Sequence, residues 1–560
     1  MNTVLAVIIA CSILLIQCLI GGTRLVYSLP AYGLLAVGAL LTIFRSPRSE
    51  FRPQVAPIVV SVFFFSYILA RAALSPVGYL WWGDFYMVLG CLVVYFITAY
   101  YLTDARSRAV ILWALFILAV VEVFFGLRQF SGGDNWMPFG FLKGGLPTRR
   151  ASGSLISSIH LAGYLEAVGV FALSFALWST WKTWLRILVG YIAVLCYVGV
   201  AITGSRGGYL SVAGSFFAFA VLSLYVIRKL RPARFRLALV VTVGLAFLSV
   251  GGALTAMSRS PTLQNRINLL WQQFDPNASK DVRIYNWQAA LDQFHSAPVW
   301  GTGAGSHIYY GRLYRRPAIQ ADPIHAHSDY LEILAEYGLV GGVGMVIFLF
   351  FHLQTGLRGL RWVVGTELKD IDYYEPARSN SLALHIGGLS AIAAYLVHSG
   401  MDFNLHIPGN ALLFAFIFGV LISPAREPHT EKEMRLVSGL RWVLPVLGVW
   451  LLVAGGAKFP GEYWAEKTRV AVRDRQFAEA VELGRKTLGY EKGNPELYLQ
   501  LGGAYRGMAW ITPGAFAKRP HLENAVQTYR KGLEIFPYDS HMLVRLGQAL
   551  DELGRFAEAG

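Results

Sequence analysis

Apolar runs long enough to cross a membrane recur along most of the chain, at about 4–22, 29–44, 56–74, 77–101, 109–127, 157–178, 185–203, 208–227, 237–257, 335–356, 384–399, 408–423 and 441–457. A helix needs about 20 such residues to cross roughly 30 Å of hydrocarbon. Only 15% of the residues are charged, where soluble domains carry about 25%. An integral membrane protein follows, and the expected fold is all-α: a polytopic membrane helix bundle of about 12–13 transmembrane helices. The runs at 384–399 and 408–423 are short for a span, so the count is open by one or two.

The connections give an orientation. One alternate set holds Arg45, Arg48 and Arg52, then Arg106 and Arg108, Lys182 and Arg186, Arg228 to Arg236, Arg358 to Arg378, and Arg426 to Arg435. The short loops of the other set hold only Arg24, Arg128, Lys143, Arg149, Arg150 and Arg206. The basic set is expected in the cytoplasm, which puts the N-terminus inside and a long loop, 258–334, outside. The net charge of +15 is dispersed among these loops and not gathered on one face, so no nucleic-acid partner is expected. Cys11, Cys18, Cys91 and Cys196 sit in apolar runs without ligand spacing and read as packing residues. The first run has no basic residues before it and reads as a membrane helix, not a cleaved signal.

The chain divides into a membrane domain, 1–457, and a charged helical tail, 460–560. In the tail, Leu501, Gly502 and Tyr505, then Ala525, Tyr529, Gly532 and Pro537, follow the small/large pattern of a tetratricopeptide repeat. A Pro- and Gly-rich insertion, Met508 to Pro520, is expected between its helices, and a second copy begins at Leu546, Gly547 and Leu550. So few repeats are marginal alone, so the tail is expected to dock on the membrane domain or to be cut short. An odd helix count would place it outside.

The most chemically loaded stretch is Pro323–Gly342, where a polar loop turns into an apolar helix with two histidines and three carboxylates at the boundary. A 3.6-residue period puts His327, Leu331, Leu334 and Gly338 on one face, expected to be buried, with Ser328, Asp329, Glu332 and Glu336 on a neighbouring face. His327 would sit at the helix N-terminus, where the dipole disfavours imidazolium and a neutral ring can accept a proton. The plainer reading is that both histidines cap the helix.

Three further patches face the outside in this topology. Arg206 lies in Thr203-Gly-Ser-Arg-Gly-Gly-Tyr-Leu, whose glycines would let backbone approach a ligand. Arg283, Trp287, Ala290 and Phe294 recur at helical spacing, as in an amphipathic helix lying on the outer leaflet. The turn Pro298-Val-Trp-Gly-Thr-Gly-Ala-Gly-Ser follows a helix, not a strand, which argues against a nucleotide cradle. Arginines fork onto phosphate oxygens, so two of them beside a histidine suit a lipid diphosphate whose departure must be stabilised. Against that, a single arginine at a membrane edge more often snorkels to headgroups. Lys280, Arg312, Arg315 and Arg316 read as surface charges, and Tyr309, Tyr310 and Tyr314 as interface-belt aromatics.

Taken in order, Thr-Gly-Ser-Arg-Gly-Gly-Tyr-Leu, Arg-Ile-Tyr-Asn-Trp with its Pro-X-X-Gly-X-Gly turn, and His-Ser-Asp-Tyr-Leu-Glu-Ile-Leu-Ala-Glu-Tyr-Gly resemble the O-antigen ligase and Wzy-type polymerase superfamily, over a core of about 190–345. His398-Ser-Gly-Met-Asp-Phe-Asn-Leu-His-Ile-Pro-Gly-Asn resembles a segment of polymerase-like members, often with a tetratricopeptide tail, and would bring Asp402, Asn404 and His406 to the same cavity. Arg149 and Arg150 with the run to His160 loosely match another outside loop of that family. Ser328 stands where many members have Asn, a hydroxyl for an amide.

The resemblance implies a glycosyltransferase of the bacterial inner membrane. It would move a glycan from an undecaprenyl-diphosphate donor to a sugar hydroxyl, either on lipid A-core or on a second lipid-linked glycan. The expected catalytic residues are His327, Arg206 and Arg283. Expected substrate contacts are Arg206, Arg283, His325, Ser328, Asp329 and His406, with no metal and no cofactor. Membrane lipids, and an envelope protein held by the tail, are the other expected partners.

Two other classes compete. A transporter would need ionisable residues deep in the spans, and Arg71, Glu122 and Glu166 lie mostly near span ends. A non-catalytic scaffold would need the tail but not Arg206, Arg283 or His327.

Overall fold

The computed structural model describes residues 1–44, 53–141, 143, 148–259, 264–265, 268, 282–317, 324–369, 375–423, 439 and 442–559. The basic residues expected at 45–52 and 426–435, together with Lys280 and Pro323, lie outside the described residues. Among the described residues the chain is helical, without strands.

The membrane part comprises α1 (Asn2–Cys18), α2 (Leu25–Leu41), α3 (Val55–Ala72), α4 (Trp81–Tyr100), α5 (Ala105–Gly132), α6 (Ser158–Trp178), α7 (Thr183–Thr203), α8 (Arg206–Leu230) and α9 (Pro232–Arg259). After α10 (Val282–Ser296) and the short α11 (His307–Leu313), it resumes with α12 (Asp329–Trp362), α13 (Asn380–Ser399), α14 (Pro408–Leu421) and α15 (Val443–Arg473). Ten helices among the described residues are long and apolar enough to cross a membrane, and α1 and α14 are shorter apolar helices. The apolar run at 237–257 falls within α9.

Helices apolar on every side are buried on every side. α14 is buried along its whole length, and α6 and α13 nearly so. α13 packs on α6 and α8, α14 on α4, α15 on α2 and α4, and α12 on α3. Outer helices turn large apolar side chains outward, among them Phe217, Phe247 and Val453, as lipid contact requires.

No break marks the expected boundary near 457–460, because α15 runs unbroken from the membrane part into the tail through Pro460. The tail continues as antiparallel α16 (Phe477–Tyr490), α17 (Pro495–Ile511), α18 (Ala515–Ile535), α19 (Ser540–Glu552) and the last turn α20 (Phe556–Ala559). The small/large positions meet: Leu501, Tyr505, Ala525 and Tyr529 share one apolar cluster, and the Tyr529 ring covers Gly502. The expected insertion shrinks to 512–514, because α17 runs to Ile511 and α18 takes Pro520 into its early turns.

The tail docks. Tyr79 donates to Glu462 at 2.9 Å, Arg24 pairs with Glu466 and Glu496 at 3.3 Å each, and Lys458 pairs with Glu491. At its far end, Arg312 of α11 meets Asp539 at 3.3 Å, with side chains 9% and 7% exposed, while Tyr309 stacks on Phe536. Arg312 is therefore no surface charge, and Tyr309 is no belt aromatic: the tail covers both. Arg316 does remain at the surface, paired with Asp292 at 2.8 Å.

Candidate active site

The start of α12 organises the site. Ser328 occupies the N-cap and His327 stands before it in the left-handed region, φ 54°. His327 is thus held by a turn and lies outside the helix in which its period had placed it. The acidic residues form the buried face: Asp329, Glu332 and Glu336 are all at most 2% exposed, while Leu331 and Leu334 are half-buried. This reverses the expected order of faces. Such burial is tolerable because every carboxylate finds donors. Glu336 accepts from the amides of Gly305 and His307 at 3.1 and 2.8 Å. Glu332 accepts from the Ala326 amide at 2.9 Å and lies 2.7 Å from His325 Nδ1. Asp329 lies 2.9 Å from His406 Nδ1.

Asp402, on the turn between α13 and α14, is the hub. Its Oδ2 accepts from Arg283 Nη2 at 3.0 Å, its Oδ1 lies 3.2 Å from His327 Nδ1, and its carbonyl accepts from the Asp329 amide at 3.1 Å. Burial pushes the Asp402 carboxyl up, but the His327 hydrogen bond and the Arg283 charge outweigh it and hold the group well below the usual carboxylate range. An ionised Asp402 accepts a hydrogen bond from His327 Nδ1–H, which leaves Nε2 as the acceptor on a ring 30% exposed. Trp287 Nε1 donates to the His327 carbonyl at 3.2 Å and fixes the turn. Phe403 supplies a common wall: His325 stacks on it at 4.2 Å, and His327 and His160 meet its edge at 4.9 and 5.0 Å.

One stripe of α10 packs against protein. The buried stripe is Arg283, Asn286, Ala290 and Gln293, and Ala290 packs against Ala326, Leu331 and Ala335 of the α12 region. The polar members of that stripe reach partners within the site, while Val282 and Leu291 on the rest of the helix stay exposed.

The glycine-rich turn is structural. Gly301, Gly303 and Gly305 have φ of 72°, 110° and 60°, and α12 kinks at Gly338 with φ 64°. The turn enters that kink: Thr302 and Gly303 donate to the Ala335 and Glu336 carbonyls at 3.1 and 2.8 Å, and Leu339 donates back to Pro298 at 2.9 Å. The amides of Thr302, Gly303 and Gly305 are thereby committed to α12. His307, at the end of the turn, is buried with Nδ1 2.8 Å from Gln293 Oε1, and burial holds its imidazole down at about 4.

Arg206 opens α8, capped by Ser205, whose hydroxyl accepts from Gly208 at 3.1 Å. Here the glycines serve helix packing, because a Cβ on Gly207 would press the His398 ring at 2.9 Å and one on Gly208 would press Ala162 at 2.9 Å. Gly207 also lies beside Met401, the neighbour of Asp402, which brings the Arg206 turn to the edge of the site. Arg150 caps α7 through the Thr203 carbonyl at 2.8 Å. Ser328 and Asp329 are buried; the Ser328 hydroxyl reaches the Ser399 carbonyl at 3.4 Å, and Asp329 is engaged with His406.

Sequence reasoning missed several parts. His325, Glu332 and His406 gather their ligand-type atoms within 4.8 Å. Phe403 lies inside the His398–Asn410 motif but its role as a wall was not legible there, and Asp84 carries no motif signal; Asp84 and His406 line a cavity of about 200 Å³ whose other walls include Phe64, Phe348 and Phe418. The three ionisable residues weighed for transport are engaged: Arg71 with the Gly301 carbonyl at 2.5 Å, Glu122 with the Ser154 amide at 2.7 Å, and Glu166 with His398 Nδ1 at 2.9 Å. Those pairings join segments far apart in sequence, so no local spacing announces them.

Residues 191–346 match the O-antigen ligase family model. No curated protein matches the chain. The O-antigen ligase-like segment carries Arg206, Arg283, His325 and His327, whereas Asp402 and His406 come from beyond it. The match supports glycan processing at a membrane by a glycosyltransferase-like enzyme, with a lipid-linked glycan and an acceptor as the general substrate classes. Together with the apolar helices it supports a multi-pass bacterial membrane protein.

Proposed function

We propose that the protein transfers a glycan from an undecaprenyl-diphosphate donor to a sugar hydroxyl at the periplasmic face of the inner membrane, as a polymerase or a ligase. The observation that carries this reading is the Asp402 hub, which holds an arginine and a histidine together, His327 being partly exposed. His327 Nε2 accepts the proton of the acceptor hydroxyl as oxygen attacks the anomeric carbon, and Asp402 stabilises the imidazolium that forms. The bond from anomeric carbon to diphosphate breaks as the new glycosidic bond forms, and the electrons leave with the diphosphate. Arg206 and Arg283 stabilise the departing charge. Asp329 and Ser328, being buried, position His406 and the start of α12. The apolar cavity beside His406 suits the isoprenoid tail of such a donor. The tail reads as tetratricopeptide-like repeats on the same side of the membrane, offering a surface to an envelope protein.

The test uses full-length protein in liposomes with an undecaprenyl-diphosphate-linked repeat unit, products being read by mass. A ladder in repeat-unit steps, lost in His327→Ala, identifies a polymerase, and product only after a separate acceptor is added identifies a ligase. No product in either condition from folded protein overturns the reading and favours a scaffold. Arg206→Lys and Arg283→Lys should both be poor substitutes, because an ammonium cannot make the fork.

A further inference from the structure

The cluster beside Phe403 formed by His325, Glu332 and His406 has the layout of a cation site. Its three members come from separate segments: His325 from the loop before α12, Glu332 from the first turn of α12, and His406 from the turn before α14. Each is aimed by a neighbour. Asp329 Oδ1 accepts a hydrogen bond from His406 Nδ1–H at 2.9 Å, and Nε2 faces Glu332 Oε1, 3.6 Å away. The Ala326 amide holds the other Glu332 oxygen at 2.9 Å, leaving Oε1 for the two rings. His325 is stacked on Phe403 with its Nδ1 on that same oxygen at 2.7 Å.

A ring nitrogen facing a carboxylate oxygen calls for positive charge between them, either a proton or a metal ion. The 3.6 Å gap is long for a hydrogen bond and close to the roughly 3.3 Å between ligands of a tetrahedral ion with bonds of about 2.0–2.1 Å. The 2.7 Å contact reaches the same spacing by a small rotation of His325, whose side chain is 27% exposed. A carboxylate on the remote nitrogen of a ligating histidine is the usual outer partner of a metal, and Asp329 occupies that place. Two imidazoles and one carboxylate suit zinc with a fourth position open.

We propose that His325, Glu332 and His406 bind one divalent transition-metal ion of the zinc class, oriented by Asp329. The ion ties the loop two residues before His327 to the turn that carries Asp402, and so holds the two halves of the hub in register. The site stands independently of the glycan reading.

Tag-free full-length protein in detergent is stripped with a chelator, re-equilibrated with Zn2+ or Co2+, and separated from free metal. One zinc per chain by mass spectrometry of the metal, visible absorption of tetrahedral Co2+, and a rise in melting temperature with Zn2+ are expected. His325→Ala, at a partly exposed position, should elute as folded protein and lose the bound metal. Asp329→Asn should keep one metal per chain at saturation but bind it about 10–100-fold more weakly. Parent protein with no retained zinc and no cobalt spectrum overturns the proposal and leaves a proton bridging the cluster. Full zinc retention by His325→Ala overturns it equally, by placing the metal elsewhere.

Discussion

Replacing Asp402 by Asn tests the proposed chemistry most sharply, because it changes one atom at the point where Arg283 and His327 meet. The carboxylate accepts from both, on Oδ2 at 3.0 Å and on Oδ1 at 3.2 Å. An amide accepts with one atom only. If its oxygen faces His327, its NH2 confronts the Arg283 guanidinium, donor against donor. If its NH2 faces His327, the ring must accept at Nδ1 and carry its proton on Nε2, where it can no longer act as a base. The loss of general-base function alone is expected to lower kcat about 10²–10⁴-fold. Breaking a buried pair by removing one partner costs about 3–5 kcal/mol of stability, and the Asn variant retains part of that through one hydrogen bond. The assay is glycan transfer from the lipid diphosphate donor, scored by product mass under single-turnover conditions, with melting in detergent as the control for folding. A folded Asp402→Asn protein within threefold of the parent rate would refute the hub as the reactive centre.

The remaining predictions concern the scaffold. Gly301→Ala places a methyl group against the Glu336 carbonyl at φ 72°, and should destabilise the protein by about 3 kcal/mol or prevent its accumulation, read as folded yield and melting temperature. For Arg312 and Asp539, 3.3 Å apart and little exposed, a double-mutant cycle on melting should return a coupling of about 1–3 kcal/mol, and zero coupling would show that the tail does not rest on α11. His307 is held at about 4, below its ordinary 6.5. Its neutral form is therefore favoured in the folded protein, so stability is full above about pH 6.5 and falls as pH drops towards 4. The fall is on the order of 3 kcal/mol in all, and His307→Gln should flatten that part of a melting-versus-pH curve. An unchanged acid slope in the variant would assign the titration to another group.

Hydrophobic runs and basic loops were enough to define a helical membrane bundle, since lipid admits few solutions and each apolar run declares its own helix. The ordered motifs likewise marked Arg206, Arg283 and His327 as residues of interest. Periodicity failed at α12 for a physical reason: it assumes that carboxylates seek water, and Asp329, Glu332 and Glu336 are buried by partners that no local pattern reveals. Arg283 behaved in the same way, since its helix packs on α12 and the guanidinium finds Asp402 across a long stretch of chain. Only the tertiary structure decided that Asp402 joins arginine to histidine, that Phe403 walls three histidines, that Asp329 aims His406 at Glu332, and that the tail rests on α11. Each of these contacts joins segments far apart in sequence, and their geometry exists only once the helices have packed.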